Sequence, residues 1–206
     1  WNGQRKGDQM GDMSDPTRVV VAVDGSRSSG AALQWAAQRA ERSTLPLVLV
    51  HVDVSEVDDA PERVENGLRS GVGRELLDDG LAEIQAWELT VPAETVLIRG
   101  SLWAGLQSVV TPQDLLVMGT NKMGYLNGRS IGSRSLLIAG GVAGDVAVIP
   151  SVDVSFRRGV VAGVDRWASV ERIAQAAADE AHHRGGELLI VHATLPGDDI
   201  EGAALV

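Results

Sequence analysis

Runs of apolar residues alternate with amphipathic stretches along most of this chain. Five short runs rich in Val, Leu and Ile have the character of buried strands, and they cover residues 18–24, 45–54, 95–99, 114–119 and 145–150. Stretches with helical spacing lie between them, at residues 31–42, 72–88, 102–110 and 134–141. This alternation predicts right-handed βαβ units, and hence a doubly wound α/β fold with a five-stranded parallel sheet and helices on both faces.

Polar residues indicate where the predicted helices begin. Ser28 or Ser29 is predicted to cap the helix at 31–42, because a serine hydroxyl accepts a hydrogen bond from a free N–H group of a first turn. The acidic stretch 55–66 has no apolar period and is predicted to be irregular. In the helix at 72–88, four residues at four-residue spacing are predicted to share the buried face: Val72, Leu76, Gly80 and Ile84.

The pattern restarts after residue 150 at a fixed offset of 141 residues. Residues 161–165 repeat residues 20–24, and residues 189–193 repeat residues 48–52. Self-similarity at one offset indicates a duplication, of which the second copy reaches one β-α-β unit. We therefore predict four segments in chain order: a disordered tail at 1–16, a five-stranded domain at 17–150, a linker at 151–156 and a partial second domain at 157–206.

Composition excludes several classes of function. The formal net charge of −10 argues against a general nucleic-acid partner, since phosphate backbones attract a basic surface. The chain has no cysteine, which excludes disulfides, thiolate metal sites and cysteine nucleophiles. No apolar run approaches the ~18–20 residues of a membrane span, so no membrane partner is expected. A cytoplasmic location is predicted, because a chain without cysteine fits a reducing compartment.

The loop after the fourth predicted strand carries the clearest candidate chemistry. Four glycines punctuate it before the next predicted helix: Gly119, Gly124, Gly128 and Gly132. Glycines allow main chain to approach a phosphate closely, and a helix N-terminus offers unpaired N–H groups and partial positive charge. A strand, a glycine- and serine-rich loop and a helix in this order indicate a phosphate site.

Several motifs occur together in a specific order. The first strand and turn read Val-Asp-Gly-Ser at 23–26, the second strand ends Val-His-Val at 50–52, and the last ends in Pro150. Gly119 is followed at the required distance by Gly132-Ser133 of a Gly-x2-Gly-x9-Gly-Ser motif. Over residues 17–150 the chain thereby resembles the universal stress protein family, and a partial second copy of the tandem-domain type covers residues 157–195.

The resemblance implies a fold, a ligand and a site. The fold is a parallel sheet of order 3-2-1-4-5, and the ligand is ATP, with Mg²⁺. Asp24 would lie beside the ribose or adenine, and the main chain of Val52 would contact the base. The phosphates would be held by a set of glycines and serines: Gly119, Gly132, Ser133 and Ser135. This placement agrees with the tendency of doubly wound sheets to bind ligands at the carboxyl ends of their strands.

One position departs from the family motif. The second glycine of Gly-x2-Gly would fall at residue 122, which is Lys122. A lysine gives up the left-handed backbone freedom of glycine but adds a mobile cation that can reach a phosphate. The departure leaves two interpretations open, a retuned ATP site that includes Lys122 and a lost one.

Simpler interpretations of single residues are also open. Asp24 could cap the following turn through an Asx hydrogen bond, and His51 is expected to be a packed strand residue rather than a ligand or base. His182 and His183 end a predicted helix, where histidine suits the helix dipole, and no metal site is predicted there.

The predicted function is that of a cytoplasmic ATP-binding stress-response regulator with little or no hydrolysis. No Ser-His-Asp set, cysteine nucleophile or carboxylate pair accompanies the glycine loop, so no catalytic residue is predicted. The alternatives are a weak ATP hydrolase and an interaction module that has lost ATP through Lys122. A dimer, or pairing of the two domains, and a further protein partner are expected.

Overall fold

The chain forms two compact units, Trp1–Val152 and Asp153–Val206. The computed structural model describes residues 16–54, 62–120, 137–151, 159–164 and 167–192. Of the predicted tail and linker, it describes Pro16 and Ser151. The predicted domain boundaries stay predictions.

The first unit is built on one parallel sheet. Its elements in chain order are β1 (Arg18–Ala22), α1 (Arg27–Ser43), β2 (Leu47–Asp53), α2 (Glu62–Ala86), β3 (Ala93–Arg99), α3 (Leu102–Val109), β4 (Asp114–Thr120) and β5 (Asp145–Pro150). Residues 137–139 form a further helical turn. The strands lie in the order β3-β2-β1-β4-β5, and every neighbouring pair is parallel. The predicted fold class and strand order are confirmed.

Alternate residues of the central strands enter two apolar clusters, one on each face of the sheet. Helices α1 and α2 cover the face that includes Val19, Val21 and Leu49. Helix α3 and the turn at 137–139 cover the opposite face, which includes Val20 and Val50. The continuous apolar runs of β1 and β2, at residues 19–22 and 47–50, are therefore explained by burial on both sides.

A buried ion pair fixes β1 to β4 at the amino end of the sheet. The carboxylate of Asp114, which is 1% exposed, accepts two hydrogen bonds from Arg18, from Nε at 2.8 Å and from Nη2 at 2.9 Å. Arg18 Nη2 also donates to the carbonyl of Val109 at 2.7 Å, and the N–H of Thr111 donates to Asp114. The pair thus joins two strands to the end of α3.

Helix α2 corrects two predictions. It begins at Glu62, inside the stretch predicted to be irregular, because Glu and Arg are good helix formers even where few residues are apolar. Gly80 and Ile84 are buried as predicted, but Val72 is 56% exposed. The N-terminal part of the buried face runs through Gly73 and Leu77 instead. A Cβ on Gly73 would lie 2.8 Å from Cδ2 of His51, so glycine lets this helix approach the sheet closely.

The second unit contains β6 (Val160–Val164), α4 (Trp167–Arg184) and β7 (Leu188–His192). Strands β6 and β7 are parallel, and Val160 pairs with Leu188 as Val19 pairs with Leu47, so the register recurs at the offset of 141 residues. The left-handed residue after the helix also recurs, as Thr44 with φ 54° in the first unit and as Gly185 with φ 58° in the second. The predicted β-α-β unit is confirmed.

Equivalent strand positions differ sharply in burial between the units. In the first unit Val20 and Val48 are at most 1% exposed, under α3. Their counterparts Val161 and Leu189 are 68% and 58% exposed. The described part of the second unit contains neither a counterpart of α3 nor one of β4.

Candidate functional site

A cleft opens at the carboxyl ends of β1 and β4, where the strand order reverses. Chain connections leave β1 toward β2 and leave β4 toward β5, so the two strand ends diverge and leave space between them. The described residues that line it come from five helices and strands, the β1–α1 turn and the turn at 137–139: Ala22, Val23, Asp24, Ser26, Ser28, Ser29, Val50, Val52, Leu102, Leu106, Met118, Gly119 and Ile138.

The floor of the cleft is apolar. Val50 and Val52 of β2, Met118 of β4 and Leu106 of α3 are all buried, and each belongs to the cluster beneath α3. Ile138 closes one side from the turn at 137–139. A small apolar floor beneath a polar rim suits a flat ring whose polar groups lie at its edge.

The β1–α1 turn supplies the polar rim. Gly25 has φ 75°, a left-handed conformation that glycine adopts without strain, and the chain becomes helical at Arg27. The N-cap is Ser26, whose Oγ accepts a hydrogen bond from the N–H of Ser29 at 3.1 Å. The prediction of Ser28 or Ser29 as the cap is wrong, because the helix begins four residues earlier than its apolar pattern.

Asp24 lies exposed at the rim of this turn. Its Oδ1 accepts a hydrogen bond from the N–H of Ser26 at 2.9 Å, which is the Asx turn left open by the sequence. Desolvation raises the pKa of Asp24, but hydrogen bonds from Ser26 and Ser29 and the charge of His51 outweigh it, so the net pKa lies below its ordinary value. The cleft therefore carries a fixed carboxylate that can accept hydrogen bonds from hydroxyl or amino groups.

Gly119, the next-to-last residue of β4, lies directly against the first turn of α1. A Cβ at this position would overlap the carbonyl group of Ser28. Glycine is therefore required here for a structural reason, because the main chain of β4 approaches the main chain of α1 closely. This reason is separate from the phosphate contact that the resemblance implies. This approach also brings the N-terminal end of the 17-residue helix α1 to the edge of the cleft.

His51 lies on the face opposite the cleft, half-buried beside α2. Its Nδ1 is 2.7 Å from the carbonyl oxygen of Val23, and its ring lies next to Gly73. His51 is not among the described residues that line the cleft, and its packing agrees with the prediction of a packed strand residue.

The structure brings three of the predicted site residues to one cleft: Asp24, Val52 and Gly119. The other four lie outside the described residues: Lys122, Gly132, Ser133 and Ser135. The binding roles of all seven stay predictions. Sequence reasoning missed Ser26, Leu106 and Ile138 as lining residues. The alternation of β2 could have placed Val50 on the same face as Val52.

Comparison with known proteins identifies the family. The sequence model of the Universal stress protein family matches residues 16–150. A universal stress protein of Mycobacterium tuberculosis is 33% identical over 200 residues, which span 92% of this chain and 71% of that relative. The chain belongs to the universal stress protein family.

Solved universal stress proteins share the fold. One from Archaeoglobus fulgidus has a TM-score of 0.68 at 18% identity, and the match covers 88% of this chain and 69% of that one. Another, described as a universal stress protein in complex with cAMP, has a TM-score of 0.53 at 24% identity, over 68% of this chain and 100% of that one.

The described residues contain neither a membrane-spanning helix nor a cluster of metal ligands. None of the helices there is long and apolar enough to cross a membrane. Groups of three or more His, Asp or Glu side chains in metal-binding proximity are also absent from that part of the chain.

Proposed function

We propose that this universal stress protein binds an adenine nucleotide, ATP with Mg²⁺, in the cleft between β1 and β4. It acts as a cytoplasmic stress-response regulator with little or no hydrolysis. The observation that carries the proposal is the convergence of Asp24, Val52 and Gly119 on one cleft at the reversal of strand order. The universal stress protein in complex with cAMP supports an adenine nucleotide as the ligand class.

The chemistry of the described cleft suits the nucleoside end of the ligand. The apolar floor formed by Val50, Val52 and Leu106 would bury a base, and the carboxylate of Asp24 would accept hydrogen bonds from ribose hydroxyls. An ionised carboxylate repels phosphates, so the phosphates would extend away from Asp24. The groups predicted for them are Gly119, Gly132, Ser133 and Ser135, and, in a retuned site, Lys122.

Calorimetric titration of the whole chain with Mg·ATP tests the proposal. We expect saturable heat from the wild-type chain and a loss of affinity of about tenfold or more in the Gly132→Ala/Ser133→Ala double variant. Gly71→Ala is a matched control, because a Cβ there meets nothing within 4 Å. Absence of heat with the wild-type chain would overturn nucleotide binding and favour the interaction module.

Lys122 favours a second candidate, because it replaces a motif glycine. If the lysine weakens the site, Lys122→Gly will bind Mg·ATP more tightly than the wild type. If it holds a phosphate, that variant will bind more weakly and with less dependence on salt. Steady phosphate release that disappears in Asp24→Asn would instead support the weak hydrolase.

A further inference from the structure

The hydrogen-bond ladder between β1 and β2 ends early at the cleft. The strands pair in register as far as Ala22 with Val50, and the last bond of the ladder runs from the N–H of Val23 to the carbonyl of Val50 at 2.9 Å. In a regular parallel ladder the next bond would run from the N–H of Val52 to the carbonyl of Val23. The described main chain does not make that bond.

The side chain of His51 takes its place. Nδ1 lies 2.7 Å from the carbonyl oxygen of Val23, and because a carbonyl only accepts, Nδ1 carries the hydrogen. The ring is held on its other side by α2, where a Cβ on Gly73 would come within 2.8 Å of Cδ2. The carbonyl of Val23 is thus satisfied from outside the ladder.

The consequence falls on the main chain of Val52. The main-chain N–H and C=O groups of successive residues in a strand point alternately to its two neighbouring strands. Those of Val52 therefore point to the same side as the carbonyl of Val50, which is bonded to β1. Beyond the last ladder bond, this side of β2 faces the cleft that Val52 lines.

We propose that His51 is a positioning residue of the nucleotide site. By occupying the carbonyl of Val23, it stops β1 and β2 from pairing further and keeps the peptide group of Val52 available to the edge of a base. The inference rests on the proposed function for the identity of the ligand, whereas the ladder itself can be tested without any ligand.

Three substitutions at residue 51 separate positioning from packing. His51→Asn places an amide nitrogen where Nδ1 lies, His51→Gln places it one bond further, and His51→Phe fills the volume without a donor. Asparagine is the poorer strand former of the two amides, so a purely structural role predicts that Asn is the more damaging change. Positioning predicts the reverse order.

The first measurement is residue-resolved amide hydrogen exchange of the nucleotide-free chain. In the Gln and Phe variants the N–H of Val52 is free to bond to the carbonyl of Val23, and its exchange should slow by about tenfold. In the wild type and His51→Asn it should stay fast. Equal exchange of this amide in the wild type and both Gln and Phe variants would overturn the proposal.

The second measurement is titration of the same four proteins with Mg·ATP. We expect His51→Asn to keep wild-type affinity within about threefold, and the Gln and Phe variants to bind about tenfold more weakly. Equal losses in all three variants would overturn the positioning role. If the wild type binds no Mg·ATP, the proposed function is overturned, while amide exchange still decides whether His51 ends the ladder.

Discussion

Gly119, the next-to-last residue of β4, lies directly against the main-chain carbonyl of Ser28 in the first turn of α1. This contact sets the distance between the strand that precedes the glycine loop and the helix that follows the Asp24 turn. One wall of the cleft therefore depends on the absence of a side chain at a single position.

Gly119→Ala should destabilise the chain by about 1–3 kcal/mol, because the added methyl group must push α1 away from β4. Urea denaturation followed by circular dichroism measures this loss. Gly30→Ala is the matched control in α1, since a Cβ there meets nothing within 4 Å, and it should be neutral or stabilising by up to about 1 kcal/mol. Similar losses in the two variants would contradict the close-approach explanation.

Asp114→Asn should cost about 3 kcal/mol, because it leaves the Arg18 guanidinium partly buried without its carboxylate. The change also turns an amide group toward the donors of Arg18 and Thr111. Asp78→Asn, on the exposed face of α2, is the control and should stay within about 0.5 kcal/mol of the wild type. Urea midpoints that fall equally in both variants would refute the buried pair as the cause.

The same pair predicts how stability depends on pH. Desolvation raises the pKa of Asp114, but hydrogen bonds from Arg18 and Thr111 and the charge of Arg18 outweigh it, so the net pKa lies below its ordinary value of 3.8. Stabilisation by this carboxylate is therefore present above pH 3.8 and is lost as the pH falls through the lower folded-state pKa.

Urea midpoints measured from pH 7 down to pH 3 test this dependence. The advantage of the wild type over Asp114→Asn should shrink as the pH falls below 3.8. A constant difference across this range would contradict the predicted protonation.

Thr44→Gly should stabilise the chain by about 1 kcal/mol, because Thr44 holds φ 54° at the C-cap of α1, a conformation that disfavours a β-branched residue. The second unit places Gly185 at the corresponding position with φ 58°. The reciprocal change, Gly185→Thr, should destabilise by a similar amount. Thermal denaturation of both variants gives the comparison, and shifts of the same sign would contradict it.

Much of the fold could be predicted from the sequence, because strands buried on both faces carry continuous apolar runs. The start of α2 was not predicted, because charged and polar residues dominate residues 55–66. Val64 and Leu68 nevertheless continue the four-residue spacing of Val72 toward the N-terminus. The prediction of the buried face of α2 is correct at Gly80 and Ile84 and wrong at Val72, where the neighbouring Gly73 is buried instead. A glycine gives no hydrophobic signal, although here it marks the closest contact.

The site was predictable to the extent that it depends on motifs. The sequence brought Asp24, Val52 and Gly119 to neighbouring strand ends, and the structure places them on one cleft. The bond from His51 to the carbonyl of Val23 was not predictable, because it depends on how far one strand continues beside another. The spacing of residues in the sequence does not indicate that a side chain replaces a main-chain hydrogen bond of the ladder.

Because the two β-α-β units share one register, equivalent ladder positions of the two units can be compared directly within one molecule. Val20 paired with Val48, and Val161 paired with Leu189, are the same ladder positions in two surroundings, one enclosed and one open. Amide protection compared within each pair would measure what flanking layers add to the cooperativity of a parallel ladder. Temperature, solvent and protein concentration are the same for both ladders in that comparison, because both belong to one polypeptide.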